Sequence, residues 1–457
     1  MDALPGFKFH EWHKECGPVL RIDVGVQRWI LVSDHEIVQH LFVTNGAVAS
    51  NRPFQLFSSQ YYALGKRGIV LADPTKKWKH LRTVVLSVAS PKMVAQFSSI
   101  LQREADSLIK DLTSACTGNN NEDTDVNPLP LLQRTSLNYV LQTGFGLCVS
   151  EQDELFHEII TFIDEGLKLG GVQNDLAGFL PILKVVDVIL GHASVYKRFI
   201  RERRDPLFTK LIQKAAEGDQ DCVFKRLYEQ KEQLGLEDAD LLVAAGDFIT
   251  GGTDTTAVTL EWIFAILLHH PDVCRKLSEV DSFTQEHKRF PIFTDRESFP
   301  YLISVQKECM RYRSLAHFSF FHVLEKDITY KGYLFPKGAS VLPTTYSMHK
   351  NPKLFPDPDK FIAERFVNKT QTMQSAASGK IEDRDHFLFG WGRRVCPGIH
   401  LAEVQMFNVL TRVFAHCTLK PPVDGTLPDL DDCRSGGITI SPPPFKARFV
   451  RRQQNST

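Results

Sequence analysis

The stretch "FGWGRRVCPGIH", residues 389–400, decides how this chain is read. It sets Cys396 between a glycine-and-arginine turn and the start of a helix, because Ile399, Ala402, Met406, Val409, Leu410, Val413 and Phe414 recur at helical spacing. A sulfur there meets the positive end of a helix dipole and free backbone N–H groups, and with Arg393 and Arg394 close by these favour a thiolate over a thiol. Gly390, Gly392 and Gly398 let the backbone turn tightly and approach something flat or bulky. Two readings stand at this point. One is a small buried hydrophobe beside a glycine turn; the other is a metal-binding or nucleophilic thiolate.

The rest of the chain narrows the choice. A length of 457 residues with 43% apolar content suffices for a large core. Lys+Arg and Asp+Glu balance at 54 each, so no global charge draws the protein to nucleic acid. Nine cysteines, at 16, 116, 148, 222, 274, 309, 396, 417 and 433, include no CxxC pair, which fits neither a disulfide framework nor a structural zinc site. Apolar runs such as "FLPILKVVDVIL" (179–190) are broken by charge before the roughly 20 residues that a membrane span needs. The N-terminus lacks the sections of a secretory signal.

Alternating apolar runs at 18–34 and 327–343 predict small sheets. Helical patterns at 76–113, 152–169, 237–269 and 299–312 predict a mainly α protein with small antiparallel sheets, in one domain over residues 1–457. The polar stretches at 116–127 and 367–382 read as surface loops. In "ADPTKKWKHLR", Asp73 is placed to cap a helix with Pro74 at its first position, which puts Trp78 and Arg82 on one face. Such a pair grips an anion or makes a surface cation–π contact. In "AAGDFITGGTDTTAVTL" (244–260), adjacent glycines inside a helix cost about 1 kcal/mol each against alanine, so something compensates: a close helix contact, a break, or space for a ligand. "ECMR" places Glu308 and Arg311 at i,i+3.

Phe389, Gly392, Arg394, Cys396 and Gly398 resemble the FxxGxRxCxG signature of the cytochromes P450, and the resemblance runs from about residue 16 to 450. It implies the cytochrome P450 fold and haem b, with Cys396 as the axial ligand of the iron. An anionic sulfur there pushes electron density through the metal and favours O–O cleavage. By the same resemblance Arg394 pairs with a haem propionate, Trp78 and Arg82 form a second clamp, and His322 stands on the basic position that meets the other propionate. Gly251 and Gly252 leave room for dioxygen, and Asp254 and Thr255 relay protons to the reacting oxygen. Glu308 and Arg311 join Arg365 of "AERF" in a buried ion cluster that locks the cysteine loop, a structural role. In "YRSLAHFSFFH" the chain departs from the family pattern, since Ser314, Leu315 and Phe321 stand where prolines are usual, and Phe318, Phe320 or Phe321 adds aromatic bulk above the haem.

The activity implied is that of a haem-thiolate monooxygenase acting on an apolar small molecule: a lipid, steroid-like, terpenoid or polycyclic compound of fungal secondary metabolism. A member that only isomerises or dehydrates its substrate is the alternative, with a non-haem binding protein or cysteine hydrolase further off. Electrons are expected from NADPH through a separate cytochrome P450 reductase, with cytochrome b5 as a second donor. Lys76, Lys77, Lys79, Arg393 and Arg394 are expected to form the docking patch. The cytosolic face of the endoplasmic reticulum follows from the resemblance, with peripheral contact or with an anchor missing from this sequence.

Overall fold

The computed structural model describes residues 4–116, 124–171, 180, 192–437 and 439–452. The helices that position the site are α1 (Pro5–Cys16), α2 (Lys76–Val88), α3 (Pro91–Gln96), α4 (Ser98–Ala115), α5 (Leu129–Phe145), α6 (Glu154–Leu169), α7 (Asp238–Leu268), α8 (Pro300–Tyr312), α9 (Met373–Ser378) and α10 (Ile399–His416). The sheets are small. Strands β1 (Val19–Val24), β2 (Gln27–Val32), β3 (His322–Val323) and β6 (Ser340–Pro343) form one in the order β1-β2-β6-β3. Three two-stranded pairs join β4 (Ile328–Tyr330) to β5 (Tyr333–Phe335), β7 (Cys417–Lys420) to β10 (Arg448–Arg451), and β8 (Arg434–Ser435) to β9 (Ile440–Ser441).

Helix α7 is the axis of the molecule. From Val243 to Leu268 it is apolar around nearly its whole circumference, and a helix of that kind must be buried. It packs on α5, α8 and α10, and its first turn is closed by a capping box in which the Asp240 carboxylate accepts from the Glu237 N–H at 2.8 Å. The largest apolar cluster gathers its C-terminal half with α8 and α10, while a second joins its N-terminal half to α4, α5 and α6. Cys396 sits at the edge of the first.

Four local expectations change. The helical run at 76–113 is three helices, because Ser90 caps α3 and Pro91 at its first position cannot continue α2. Thr75, not Asp73, caps α2, its hydroxyl accepting from the Trp78 N–H at 3.2 Å; Asp73 instead accepts from the Arg52 N–H at 2.8 Å. The sheets are not all antiparallel, since β2 pairs parallel with β6, Trp29 opposite Ser340. The loop at 367–382 contains α9, capped by the Thr372 hydroxyl. The apolar run at 179–190 lies outside the described residues apart from Leu180, as does 117–123 of the other polar stretch.

Candidate active site

The cysteine loop is held by its backbone. Gly390 and Gly392 have φ of +76° and +53°, and a Cβ on Gly392 would lie 2.0 Å from the Phe42 carbonyl oxygen, so only glycine fits there. The Cys396 N–H donates to the Phe389 carbonyl at 2.8 Å, which closes the loop, and Gly398 precedes the first turn of α10. Burial pushes the Cys396 thiol up, opposed by the Gly398 N–H and by the Arg82 guanidinium. Arg393 is exposed and Arg394 turns to other partners, so neither is the cation that favours the anionic sulfur; Arg82 is. Helix dipole and arginine do not outweigh desolvation here. A sulfur in this setting stays protonated until a metal cation takes the proton's place, which suits a metal ligand better than a free nucleophile.

Arginines surround Trp78 beside that loop. Trp78 Nε1 donates to the Ile69 carbonyl at 2.9 Å, and the guanidinium carbons of Arg394 and Arg82 lie 4.4 Å and 5.5 Å from its ring. Arg82 donates to the carbonyl of Val395, the residue before the cysteine. Arg394 donates to the Ser50 carbonyl at 2.9 and 2.7 Å and to the Ile69 carbonyl at 3.2 Å. Arg52, which nothing in the sequence singles out, donates to the Val70 and Phe321 carbonyls at 2.9 and 2.6 Å. All three are buried, and among the described residues no carboxylate is ion-paired with them. Burial lowers each guanidinium from its ordinary value, Arg394 to about 10. Asp73, whose field reaches Arg52 and Arg394, commits its oxygens to the Arg52 N–H and to Lys66. A buried cationic cluster of this kind calls for a bound anion of the carboxylate or phosphate type.

His322 is stacked on Phe42 at 3.8 Å, and its Nδ1 faces the Ala49 carbonyl at 2.6 Å, so that nitrogen carries the proton. Burial, Arg52 and Arg394 hold the ring well below its ordinary pKa and therefore neutral. Its Nε2 is then an acceptor, and Arg52, whose field helps to lower the ring, stands as a further buried cation beside it.

At the middle of α7 the two glycines do different things. A Cβ on Gly251 would meet nothing within 4 Å, whereas one on Gly252 would lie 2.4 Å from Val140 Cγ2 on α5. Gly251 leaves open space; Gly252 is a close helix contact. The Thr255 hydroxyl, partly exposed, donates to the Gly251 carbonyl at 2.6 Å. Asp254 is buried and turned the other way, accepting from the Thr439 hydroxyl at 2.7 Å, with its carboxyl raised by burial. The two are neighbours in sequence but are not bonded to each other. Two further acids of α7 escaped the sequence reading. Asp247 accepts from the Ile69 and Val70 N–H groups at 2.7 and 3.0 Å and is raised to about 6 by burial, and Glu261 is buried and raised to about 8. Their signal was available as lone charges in an apolar helix.

Glu308, Arg311 and Arg365 do meet, with Arg311 Nε and Nη2 on the Glu308 carboxylate at 2.7 and 2.8 Å and Arg365 Nε at 3.0 Å. Phe318 and Phe321 instead pack into the cluster of Phe9, Trp29 and Leu342, and Phe320 is exposed with Arg52 over its ring, so none of the three is shown adding bulk to the site. The expected five-residue basic patch shrinks to Lys76, Lys79 and Arg393, because Lys77 pairs with Glu237 at 2.6 Å and Arg394 is buried.

Known proteins resemble this chain in sequence and in fold. The cytochrome P450 family model matches residues 2–449. Cytochrome P450 monooxygenase virE of Hypocrea virens is 26% identical over 462 residues, spanning 98% of this chain and 82% of that protein. A cytochrome P450 monooxygenase of Gibberella fujikuroi is 28% identical over 416 residues, or 86% of this chain and 73% of that one. In fold, a zebra fish cytochrome P450 solved with progesterone superposes with a TM-score of 0.81 at 24% identity, covering 98% of this chain and 100% of the other. With the family model running almost from end to end, the chain belongs to the cytochrome P450 family of haem-thiolate enzymes.

Proposed function

We propose that this enzyme inserts one atom of dioxygen into a C–H bond or alkene of an apolar small molecule of the lipid, steroid-like, terpenoid or polycyclic class. The observation that carries the reading is the arginine cluster, ion-paired to no carboxylate among the described residues, attached through Arg82 and the Val395 carbonyl to the loop of the sulfur. The donor set fits haem b: Cys396 would ligate the iron, and Arg52, Arg82 and Arg394 would hold the two propionates beside Trp78. Once bound, the haem supplies dioxygen activation, with the thiolate as the electron-donating ligand. Phe389 and Gly398 close the loop around the sulfur, and the fixed backbone of Gly392 keeps it in place.

This chain's own contribution is space and protons. Gly251 opens the helix surface, Thr255 presents a hydroxyl beside that opening, and Asp254 is the acid next to it. For proton delivery the Asp254 carboxyl must leave Thr439 and approach the Thr255 side. Electrons would come from NADPH through a separate reductase, or from cytochrome b5, docking on exposed Lys76, Lys79 and Arg393. Among the described residues no helix is long and apolar enough to cross a membrane, and peripheral contact with the endoplasmic reticulum is the location proposed.

The test begins with the purified holoprotein, reduced and exposed to carbon monoxide. A strongly red-shifted Soret band that disappears in Cys396→Ala is the expected result. Oxygen uptake matched by oxygenated product then separates a monooxygenase from an isomerase or dehydratase, which would form product without consuming oxygen.

A further inference from the structure

Asp247, in the N-terminal half of α7, is 8% exposed, and among the described residues it forms no ion pair. The cation whose field reaches it, Arg204, is committed to the Tyr62 carbonyl and to Asp205. A carboxyl this deep is costly to bury, so what it holds matters. One oxygen, Oδ2, accepts from both the Ile69 N–H at 2.7 Å and the Val70 N–H at 3.0 Å. The chain is shaped to admit that oxygen: Gly68 has φ of +82°, and a Cβ there would lie 2.6 Å from Asp247 Oδ2. Anchoring this loop to α7 does not require such an arrangement, because Arg67 already ties it to the start of the helix through Asp240 and Glu237, each at 2.9 Å.

The Val70 N–H and the Ile69 carbonyl belong to one planar, trans peptide unit, so its two ends point opposite ways. Asp247 fixes the first end. The second accepts from Trp78 Nε1 at 2.9 Å and from Arg394 Nη1 at 3.2 Å, and the Trp78 ring seats Arg394 and Arg82. The next carbonyl, of Val70, takes Arg52 Nε at 2.9 Å. An unbroken row of hydrogen bonds therefore runs from a carboxyl of α7, through one peptide group, to an arginine of the cationic cluster, and bonds in such a row strengthen one another.

The donors of Arg394 show what this row sets. A guanidinium has five N–H groups. Nε donates to the Ser50 carbonyl, Nη2 to the Ser50 and Ala72 carbonyls, and Nη1 to the Ile69 carbonyl. The fifth N–H is on Nη1, beside the bond to Ile69, and its direction follows from that bond. We propose that Asp247 is a positioning residue for haem: by fixing the Ile69–Val70 peptide it aims Trp78 and the remaining Arg394 donor at a propionate. Asp247 itself touches neither haem nor substrate. The inference rests on the haem reading of the arginine cluster proposed above.

Variants of the holoprotein test it. Asp247→Ala leaves two N–H groups unpaired and frees the peptide to turn. Haem transfer to an acceptor protein should then be about tenfold faster, the loss usual when the outer support of a metal site is removed. The propionate-bending bands in resonance Raman spectra should shift, and the haem potential should fall, because propionates less well neutralised leave more negative charge near the iron. Asp247→Asn, which keeps an oxygen acceptor, should show the wild-type bands and potential. Arg67→Ala, which loosens the same loop without touching the peptide, should leave both unchanged. If Asp247→Ala does not fold, Gly68→Ala serves in its place, since its Cβ pushes on Oδ2 while the carboxyl stays, and it should move the same bands. Unmoved bands and potential in Asp247→Ala or its substitute, an Asp247→Asn as impaired as Asp247→Ala, or an Arg67→Ala shifted as far would each overturn the proposal. A wild type without the red-shifted carbon monoxide band would instead overturn the haem reading on which it rests.

Discussion

Around Trp78 the chain buries three guanidinium groups, Arg52, Arg82 and Arg394, with no carboxylate paired to them among the described residues; along α7 it buries three carboxyls, Asp247, Asp254 and Glu261, likewise paired to no cation. The two regions meet the same desolvation cost by different chemistry. A guanidinium cannot shed its charge under ordinary conditions, so its region is complete only when an anion arrives from outside. A carboxyl can take up a proton, and burial raises Asp247 to about 6 and Glu261 to about 8, so that region needs only water. The first region carries cations that lack a counter-charge, and the second carries acids that burial shifts toward their protonated form. The Glu308–Arg311–Arg365 cluster is the internal reference, since it brings both signs together and needs neither.

The reference gives the largest effect. Glu308→Gln leaves Arg311 and Arg365 without their counter-charge, and a loss of about 3–5 kcal/mol in chemical denaturation, with or without haem, is expected. A small loss would mean that internal pairing is not what distinguishes this cluster from the other two. Next, Arg82→Leu should weaken haem retention by about 10–100-fold, the value of one charge-assisted hydrogen bond, while leaving the haem-free fold nearly unchanged. Transfer of haem to an acceptor protein reads this directly, and equal loss of apo stability would remove the arginine cluster from the ligand class.

Gly252→Ala, whose Cβ would strike Val140 Cγ2 at 2.4 Å, should cost about 1–3 kcal/mol by overpacking the contact of α7 with α5. Gly251→Ala meets nothing and should gain up to about 1 kcal/mol of helix propensity, yet it narrows the space beside Thr255 and should alter oxygen binding to the reduced enzyme. A last effect is on the pH dependence of stability. Glu261 is raised from 4.5 to about 8, so the folded state binds that proton more tightly than the unfolded one, and stability is lost as pH rises through this range. Glu403, raised to about 7, contributes in the same sense, so the difference between wild type and Glu261→Gln isolates the one group. A flatter denaturation profile in the variant between about pH 5 and 8 is expected.

Much of this was legible in the chain because the contacts are local or periodic. The helical register after Cys396, the long apolar helix with its glycine pair, and Glu308 with Arg311 all follow from spacing within a few turns. Arg52 was invisible, because its partners Val70 and Phe321 lie 18 and 269 positions away and nothing around "SNRPF" marks it. Arg393 and Arg394 looked equivalent beside the sulfur; the turn sends one to solvent and the other to Ser50. Reading 76–113 as one helix overlooked the Ser90–Pro91 boundary, a signal that was present. The heptad of acids was equally open to view, but its meaning depends on burial, which periodicity alone does not supply.

The short segment Gly68–Ala72 is gripped by hydrogen bonds to its peptide groups. Asp247 takes the N–H groups of Ile69 and Val70, Trp78 and Arg394 share the Ile69 carbonyl, Arg52 holds the Val70 carbonyl, and Arg394 also reaches the Ala72 carbonyl. None of these contacts reads a side chain of the segment. Val70 and Leu71, both half-buried, can therefore be rewritten without renegotiating the grip, whereas Ile69 also packs in the core. Proline is the exception at 69 and 70, since it would delete the N–H that Asp247 requires.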